Sequence, residues 1–280
     1  MKNYTINAGG TLLSLEKPLV MGILNATPDS FFEGSRMQTE AQIADRANQI
    51  MEEGGTIIDV GAFSTRPGAA VVSEEEELKR MRRALAIVRR EQPKAVVSID
   101  TYRPSVARMA VEEYGADIIN DVSEGGLTGV VDTPLDESED KTIFETVAAL
   151  RVPYILMSVK SNVHDMLKAF ASEVAQLRAL GVNDIILDPG FGFGKTLDEN
   201  YALLSDMEKL QVMDLPLLVG VSRKRMIWQL SGTSAGEALN GTTAINMVAL
   251  MKGAHILRVH DVKEAREAVD IFNKMNDYAV

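Results

Sequence analysis

The 280-residue sequence predicts an α/β fold, a TIM (β/α)8 barrel preceded by an N-terminal β-hairpin, and three observations carry that expectation. Short apolar runs repeatedly end at a polar residue: Gly22-Ile23-Leu24-Asn25, Ile57-Ile58-Asp59, Val96-Val97-Ser98-Ile99-Asp100, Ile118-Ile119-Asn120-Asp121, Ile185-Ile186-Leu187-Asp188 and Ile256-Leu257-Arg258-Val259-His260. Such runs read as strands buried on both faces, as in a parallel sheet covered by helices. Segments of helical periodicity separate them. Strand ends fall at about residues 25, 61, 100, 121, 157, 188, 221 and 259, and eight βα units in roughly 250 residues suit a closed barrel better than a doubly wound sheet.

The elements follow in chain order. Residues 4–15 alternate loosely around Ala8-Gly9-Gly10, which predicts a hairpin that plugs one end. One domain over 1–280 is expected, with 1–17 the hairpin and 18–280 the barrel. The first strand, Leu19 to Leu24, runs into a polar loop, Asn25 to Gly34, whose paired aromatics Phe31 and Phe32 suit a binding lid or packing beneath the loop. A helix from about Thr39 to Glu53 shows Ile43, Ala47, Ile50 and Met51 on one stripe and is closed by Gly54-Gly55. After Ile57 to Val60 comes a second long loop, Gly61 to Gly68, with hydroxyls and one cation. Ser73 with Glu76 predicts a capping box, opening a helix with Leu78, Met81, Leu85 and Val88 inward and a stop before Pro93.

The third strand ends at Asp100, a helix follows Pro104, and the fourth strand ends at Asn120-Asp121. Residues 123–141 are Gly-rich and acidic and read as a variable surface loop without chemistry. A short helix to about Leu150 precedes the fifth strand, Tyr154 to Met157, and the helix after His164 presents Leu167, Phe170, Val174, Leu177 and Leu180. The sixth strand delivers Asp188 and breaks at Pro189-Gly190. Leu217 to Val221 is the seventh strand, ending in Ser222-Arg223-Lys224. A largely helical segment runs to Lys252, Ile256 to Val259 is the eighth strand, and the helix after Asp261 presents Ala265, Val269, Phe272 and Met275.

Composition narrows the function. With 29 basic and 40 acidic side chains the net charge is −11, which argues against nucleic acid or an anionic membrane as partner. There is no cysteine, hence no disulfide framework and no thiolate metal site. No apolar run approaches the ~18 residues of a membrane span, and Met1-Lys2-Asn3 opens no secretory apolar core, so a cytoplasmic protein is expected. Pro189-Gly190-Phe191-Gly192-Phe193-Gly194-Lys195-Thr196 is not a nucleotide loop: Pro189 stands where a triphosphate loop needs its first glycine, and strict alternation of glycines breaks the dinucleotide pattern.

Closure of the barrel would gather Asn25, Asp59, Asp100, Asn120, Asp188, Lys224, Arg258 and His260 on one rim, with Thr65 and Arg66 on a loop above. Any one of these could be a satisfied core polar group. Together, carboxylates and amides on strand ends suit a heterocycle bearing N–H donors, and the cations suit phosphate.

On these residues the chain resembles the dihydropteroate synthases of the pterin-binding barrels. The motifs are Met21-Gly-Ile-Leu-Asn-Ala-Thr-Pro-Asp-Ser-Phe31, Ser64-Thr-Arg-Pro-Gly68, Ser98-Ile-Asp-Thr101, Ile119-Asn-Asp-Val122, Leu187-Asp-Pro-Gly-Phe-Gly-Phe-Gly-Lys195, Gly220-Val-Ser-Arg-Lys224 and Arg258-Val-His-Asp261. That family condenses 6-hydroxymethyl-7,8-dihydropterin diphosphate with p-aminobenzoate, releasing diphosphate. The resemblance implies that Asp100, Asn120, Asp188 and Lys224 hold the pterin, with Met157, Phe193 and Gly220 around it. It places Mg2+ on Asn25 and the diphosphate on Arg258 and His260. Thr65, Arg66 and Pro67, with Phe31 and Ser222, would shape the p-aminobenzoate pocket, and Thr65, Arg66, Asp100 and Lys224 would be catalytic. A cytoplasmic homodimer joined through outer helices, and a sulfonamide target, are implied with them. Three stretches depart from the usual pattern: Met157-Ser158-Val159-Lys160-Ser161 for Met-His-Met-Arg-Gly, Ala62-Phe63 for Gly-Glu, and Phe32-Glu33 for Ser-Asp. A paralogue without turnover, or a pterin-dependent methyltransferase barrel, therefore stays open; the latter has no use for a diphosphate grip.

Overall fold

A computed structural model describes residues 2–26, 40–63, 72–125 and 142–278. Strands β1 (Thr5–Ala8) and β2 (Thr11–Ser14) pair antiparallel as the expected hairpin. The main sheet contains β3 (Leu19–Asn25), β4 (Ile57–Gly61), β5 (Val96–Asp100), β6 (Ile118–Asp121), β7 (Tyr154–Met157), β8 (Ile185–Asp188), β9 (Leu218–Val219) and β10 (Ile256–Val259). Its order is β8-β7-β6-β5-β4-β3-β10-β9, every pair is parallel, and a Leu187–Leu217 bridge joins the two edges. This is the (β/α)8 barrel the sequence predicts. Its helices are α1 (Glu40–Glu52), α2 (Glu74–Glu91), α3 (Pro104–Tyr114), α4 (Ile143–Leu150), α5 (Val163–Ala179), α6 (Leu197–Asp206), α7 (Arg225–Ser231), α8 (Leu239–Met251) and α9 (Val262–Asn276).

Strand alternation sorts the side chains into two layers. Ile58, Val60, Val97, Ile99, Ile119, Leu187, Leu257 and Val259 face outward into the main core beneath the helices. Met21, Ile57, Ile118, Ile155, Ile186, Leu218 and Ile256 form a second cluster with Ile6, Ala8 and Leu15 of the hairpin segment, which thus plugs the amino end of the barrel. Two residues further along the same strands come Ile23, Asp59, Asn120, Met157, Asp188, Gly220 and Arg258. The plug and the candidate site therefore occupy the same inward face at successive levels.

Several local expectations need correction. Ser73 accepts from the Glu76 N–H, but the Glu76 carboxylate turns to Arg80 instead of closing a capping box. The seventh strand is reduced to Leu218–Val219. Leu180 and Met275, expected on buried stripes, are exposed because they sit at or near the fraying ends of their helices. Ser123 and Glu124, expected on a surface loop, are buried. Among the described residues no helix is long and apolar enough to cross a membrane.

Candidate active site at the carboxyl end of the barrel

Arg258 sits at the centre of the rim. Its Nε donates to Asp59 Oδ2 and one terminal nitrogen to Asp100 Oδ2, both at 2.6 Å. Burial alone would lower its pKa, yet Asp59 and Asp100 hold it above the ordinary arginine value. Asp59 also accepts from Asn120 Nδ2, at 3.3 and 3.2 Å, so both of its oxygens are committed. Asp100 Oδ1 and Asn120 Oδ1 are different: both are buried and have no hydrogen-bond partner. Leaving such acceptors unmatched costs about 1–3 kcal/mol apiece, so the pair marks a place prepared for donors. Burial holds Asp100 above the usual carboxylate range, against the pull of Arg258.

Asp188 accepts from the Gly190 N–H at 2.7 Å, and burial raises its pKa while Lys224 pulls it down. Lys224 stands at the N-cap of α7. Its ammonium donates to the Phe191 carbonyl, lies 4.6 Å from the centre of the Phe193 ring, and is brought down to about 8 by burial. Phe193 packs on a small apolar cluster of Phe63, Tyr102, Val122 and Met157, which gives the site one apolar wall.

The segment after β9 explains its own turn. Arg223 adopts φ +54 and sends its guanidinium outward to Asp261 and to the Ala235 and Gly236 carbonyls. Ser222 and Lys224 flank that anchor. Ser222 Oγ accepts from the His260 N–H at 3.1 Å and lies 3.2 Å from His260 Nδ1. Arg46 on α1 donates to the Ile23 and His260 carbonyls, tying the ends of β3 and β10 together. Gly220 is buried, and a Cβ added to it would stand 3.7 Å from Arg258 Cβ. Asn25 ends β3, and a Cβ on Gly61 would lie 3.7 Å from Asn25 Oδ1 and 3.6 Å from Asp100 Oδ2, so these two groups border the same gap.

The structure thus brings Asp100, Asn120 and Arg258 into one network, Lys224, Phe193 and Asp188 into a second, and His260 and Ser222 into a third. Phe31, Thr65, Arg66 and Pro67 lie outside the described residues. Among the described residues no three His, Cys, Asp or Glu side chains gather around a possible metal. The sequence places Asp59 on the rim, after an apolar pair, but gives no task to it or to Arg46, Glu124 or Lys195; each of those three makes at least one contact distant in sequence.

A family model described as pterin binding enzyme matches residues 21–260. The Escherichia coli (strain K12) dihydropteroate synthase is 41% identical, with 94% of each chain covered, and that of Clostridium beijerinckii is 36% identical over 95% of each. A solved Xanthomonas albilineans dihydropteroate synthase with 4-aminobenzoic acid superposes with a TM-score of 0.87 at 32% identity, covering 99% of this chain and all of that one. A Yersinia pestis dihydropteroate synthase in complex with a sulfonamide drug gives 0.86 at 34%, with the same coverage. With its barrel, its paired unmatched acceptors and these relatives, the chain belongs to the pterin-binding enzymes and, among them, to the dihydropteroate synthases, transferases of folate synthesis.

Proposed function

We propose that the gap between Asp100, Asn120, Asp188 and Lys224 takes 6-hydroxymethyl-7,8-dihydropterin diphosphate and that p-aminobenzoate attacks its methylene carbon. The C–O bond to diphosphate breaks, the C–N bond forms, and the amine gives up one proton, leaving 7,8-dihydropteroate and diphosphate. The observation that carries this reading is the pair of unmatched buried acceptors, Asp100 Oδ1 and Asn120 Oδ1, facing a ring system rich in N–H donors. Asp188 would add a third acceptor, and Phe193 with Met157 would cover the ring. As the leaving group departs, positive charge grows on the pterin methylene, and the fixed carboxylates stabilise it without reorganising. No covalent intermediate on the chain is required.

Arg258 and His260 would grip the diphosphate. The donor set fits a magnesium ion delivered on that diphosphate: Asn25 Oδ1 is a hard oxygen beside Asp100, and magnesium is commonly held by few protein oxygens together with substrate phosphates and water. Bound there, Mg2+ would neutralise the departing diphosphate. By the resemblance, Phe31, Thr65, Arg66, Pro67 and Ser222 would receive p-aminobenzoate, and sulfonamides would compete for the same place. We place the reaction in the cytoplasm, as the acidic, cysteine-free sequence suggests.

The test is diphosphate release by the purified protein supplied with pterin diphosphate and Mg2+, with and without p-aminobenzoate. Release that depends on the arylamine is expected. Pterin binding without arylamine-dependent release would refute the transfer step.

A further inference from the structure

Lys195 has no role in the site as described, yet its ammonium is fully engaged. It donates to the Gly190 carbonyl at 2.9 Å and to the Phe193 and Ser158 carbonyls at 3.2 Å each. Two of these acceptors belong to the turn after β8 and the third to the segment after β7, so one cation ties neighbouring loop bases together. Three carbonyl oxygens converging on a point repel one another unless a group with three donors stands between them, and an ammonium is that group. The seam is tight: Gly190 adopts φ +64, and a Cβ there would stand 2.1 Å from the Ser158 carbonyl oxygen. Ser158 is itself anchored, donating its hydroxyl to the buried Glu124 at 3.0 Å. On the opposite side of the turn, Lys224 donates to Phe191, and Asn200 accepts from the Gly192 N–H at 2.7 Å.

We propose that Lys195 is a positioning residue for the pterin diphosphate: its ammonium clamps the Gly190–Phe193 turn against Ser158 and so sets Phe193, Lys224 and Asp188 for the ligand. The proposal rests on the reading of Asp188 and Lys224 as pterin-holding residues. Charge supports the geometry. Lys195 faces Asp188, Glu124 and Glu199, and burial brings it down to about 8. Lys224 lies at about 8 as well, lowered by burial first, raised by Asp188 and Asp100, and lowered further by Arg258 and by Lys195 itself. Removing the Lys195 charge should therefore raise Lys224.

The experiment compares Lys195→Met, Lys195→Arg and Lys224→Gln by steady-state kinetics across pH. For Lys195→Met, KM for pterin diphosphate should rise about tenfold, the scale of one lost charged hydrogen-bond contact. KM for p-aminobenzoate should stay within about twofold. Pterin affinity should fall at alkaline pH as the buried Lys224 ammonium loses its proton, and in Lys195→Met that fall should begin at higher pH than in the parent. Lys195→Arg keeps the charge and leaves that limb in place, but a planar guanidinium cannot meet three convergent carbonyls as an ammonium does, so pterin KM should still rise. An unchanged pterin KM in Lys195→Arg, or a Lys195→Met limb that does not move, overturns the proposal; the Arg variant alone decides it if the Met variant is insoluble. Lys224→Gln separates the two levels. Native pterin affinity in that variant sinks the site reading and the clamp with it, whereas lost affinity there beside a native-like Lys195→Arg sinks the clamp alone.

Discussion

Asp59, in the middle of β4, and Asp188, at the end of β8, lie on the inward face of the barrel and carry the same side chain, but their surroundings divide their work. Asp59 is fully buried and has both oxygens engaged by Arg258 and Asn120. Asp188 accepts one backbone N–H, and the strongest of the charges around it is the buried Lys224 ammonium. Asp188→Asn keeps the shape and an oxygen for the Gly190 N–H, so the fold should survive. Lost with the charge is a charge-assisted contact worth on the order of 1.5–3 kcal/mol. Calorimetry should show pterin diphosphate bound about tenfold or more weakly, and an unchanged affinity would remove Asp188 from the site.

At the scale of elements, two connections carry opposite loads. The turn after β8 is held by close approach: Gly190 needs a left-handed backbone and leaves no room for a Cβ beside Ser158. Left-handed geometry costs a non-glycine residue about 1–2 kcal/mol before any clash, so Gly190→Ala should lower the melting temperature visibly and weaken pterin binding with it. A melting curve that overlays the parent's would show that the seam can open freely. The amino end of the barrel is held by a histidine. His255 Nδ1 accepts the Leu217 N–H at 3.2 Å, Nε2 reaches the Lys2 carbonyl at 3.2 Å, and Tyr4 stacks edge-on at 5.0 Å. Burial lowers the His255 pKa below its usual 6.5. The unfolded chain then takes up the proton first, so stability is lost as pH falls below about 6.5. Melting temperatures measured from neutral pH downward should respond less favourably to acid in the parent than in His255→Gln; an equal slope in the variant would remove His255 from the acid response.

These elements also show what was legible beforehand. Most strand ends were readable because each pairs an apolar plug residue with a polar residue two positions on, a pattern that survives without any knowledge of tertiary contacts. The strand expected over Leu217 to Val221 is shorter, because ladder pairing with β10 is confined to Leu218 and Val219. At Glu124 glycine and acid composition signals surface, whereas a backbone at φ +54 carries its side chain to Ser158 and Lys160. The cross-loop half of the Lys195 clamp has no local signal, because its Ser158 partner lies 37 residues away in sequence.

At the scale of the whole molecule, apolar exposure is unevenly distributed. Among the described residues, the exposed large apolar side chains Leu230, Val248, Met251, Ile271, Met275 and Tyr278 all fall in the segment from α7 onward, against Leu12, Leu180 and Val212 elsewhere. α8 packs against both α7 and α9, so these residues belong to neighbouring outer helices. Exposed apolar side chains concentrated on neighbouring outer helices of a protein of net charge −11 are a natural place for a second copy to cover, in keeping with the homodimer implied by the resemblance. The described site residues lie at the carboxyl-end mouth of the barrel and the exposed apolar residues on its outer helices, so assembly and pterin binding should separate. Met251→Glu should weaken self-association by about tenfold or more, since a dimer would have to bury the new charge against the acidic partner. Its pterin affinity should remain native. Sedimentation velocity over a concentration series decides: a variant that stays dimeric alongside the parent places the interface on another face, and one that turns monomeric with its pterin affinity also lost would mean that the partner chain supports the site.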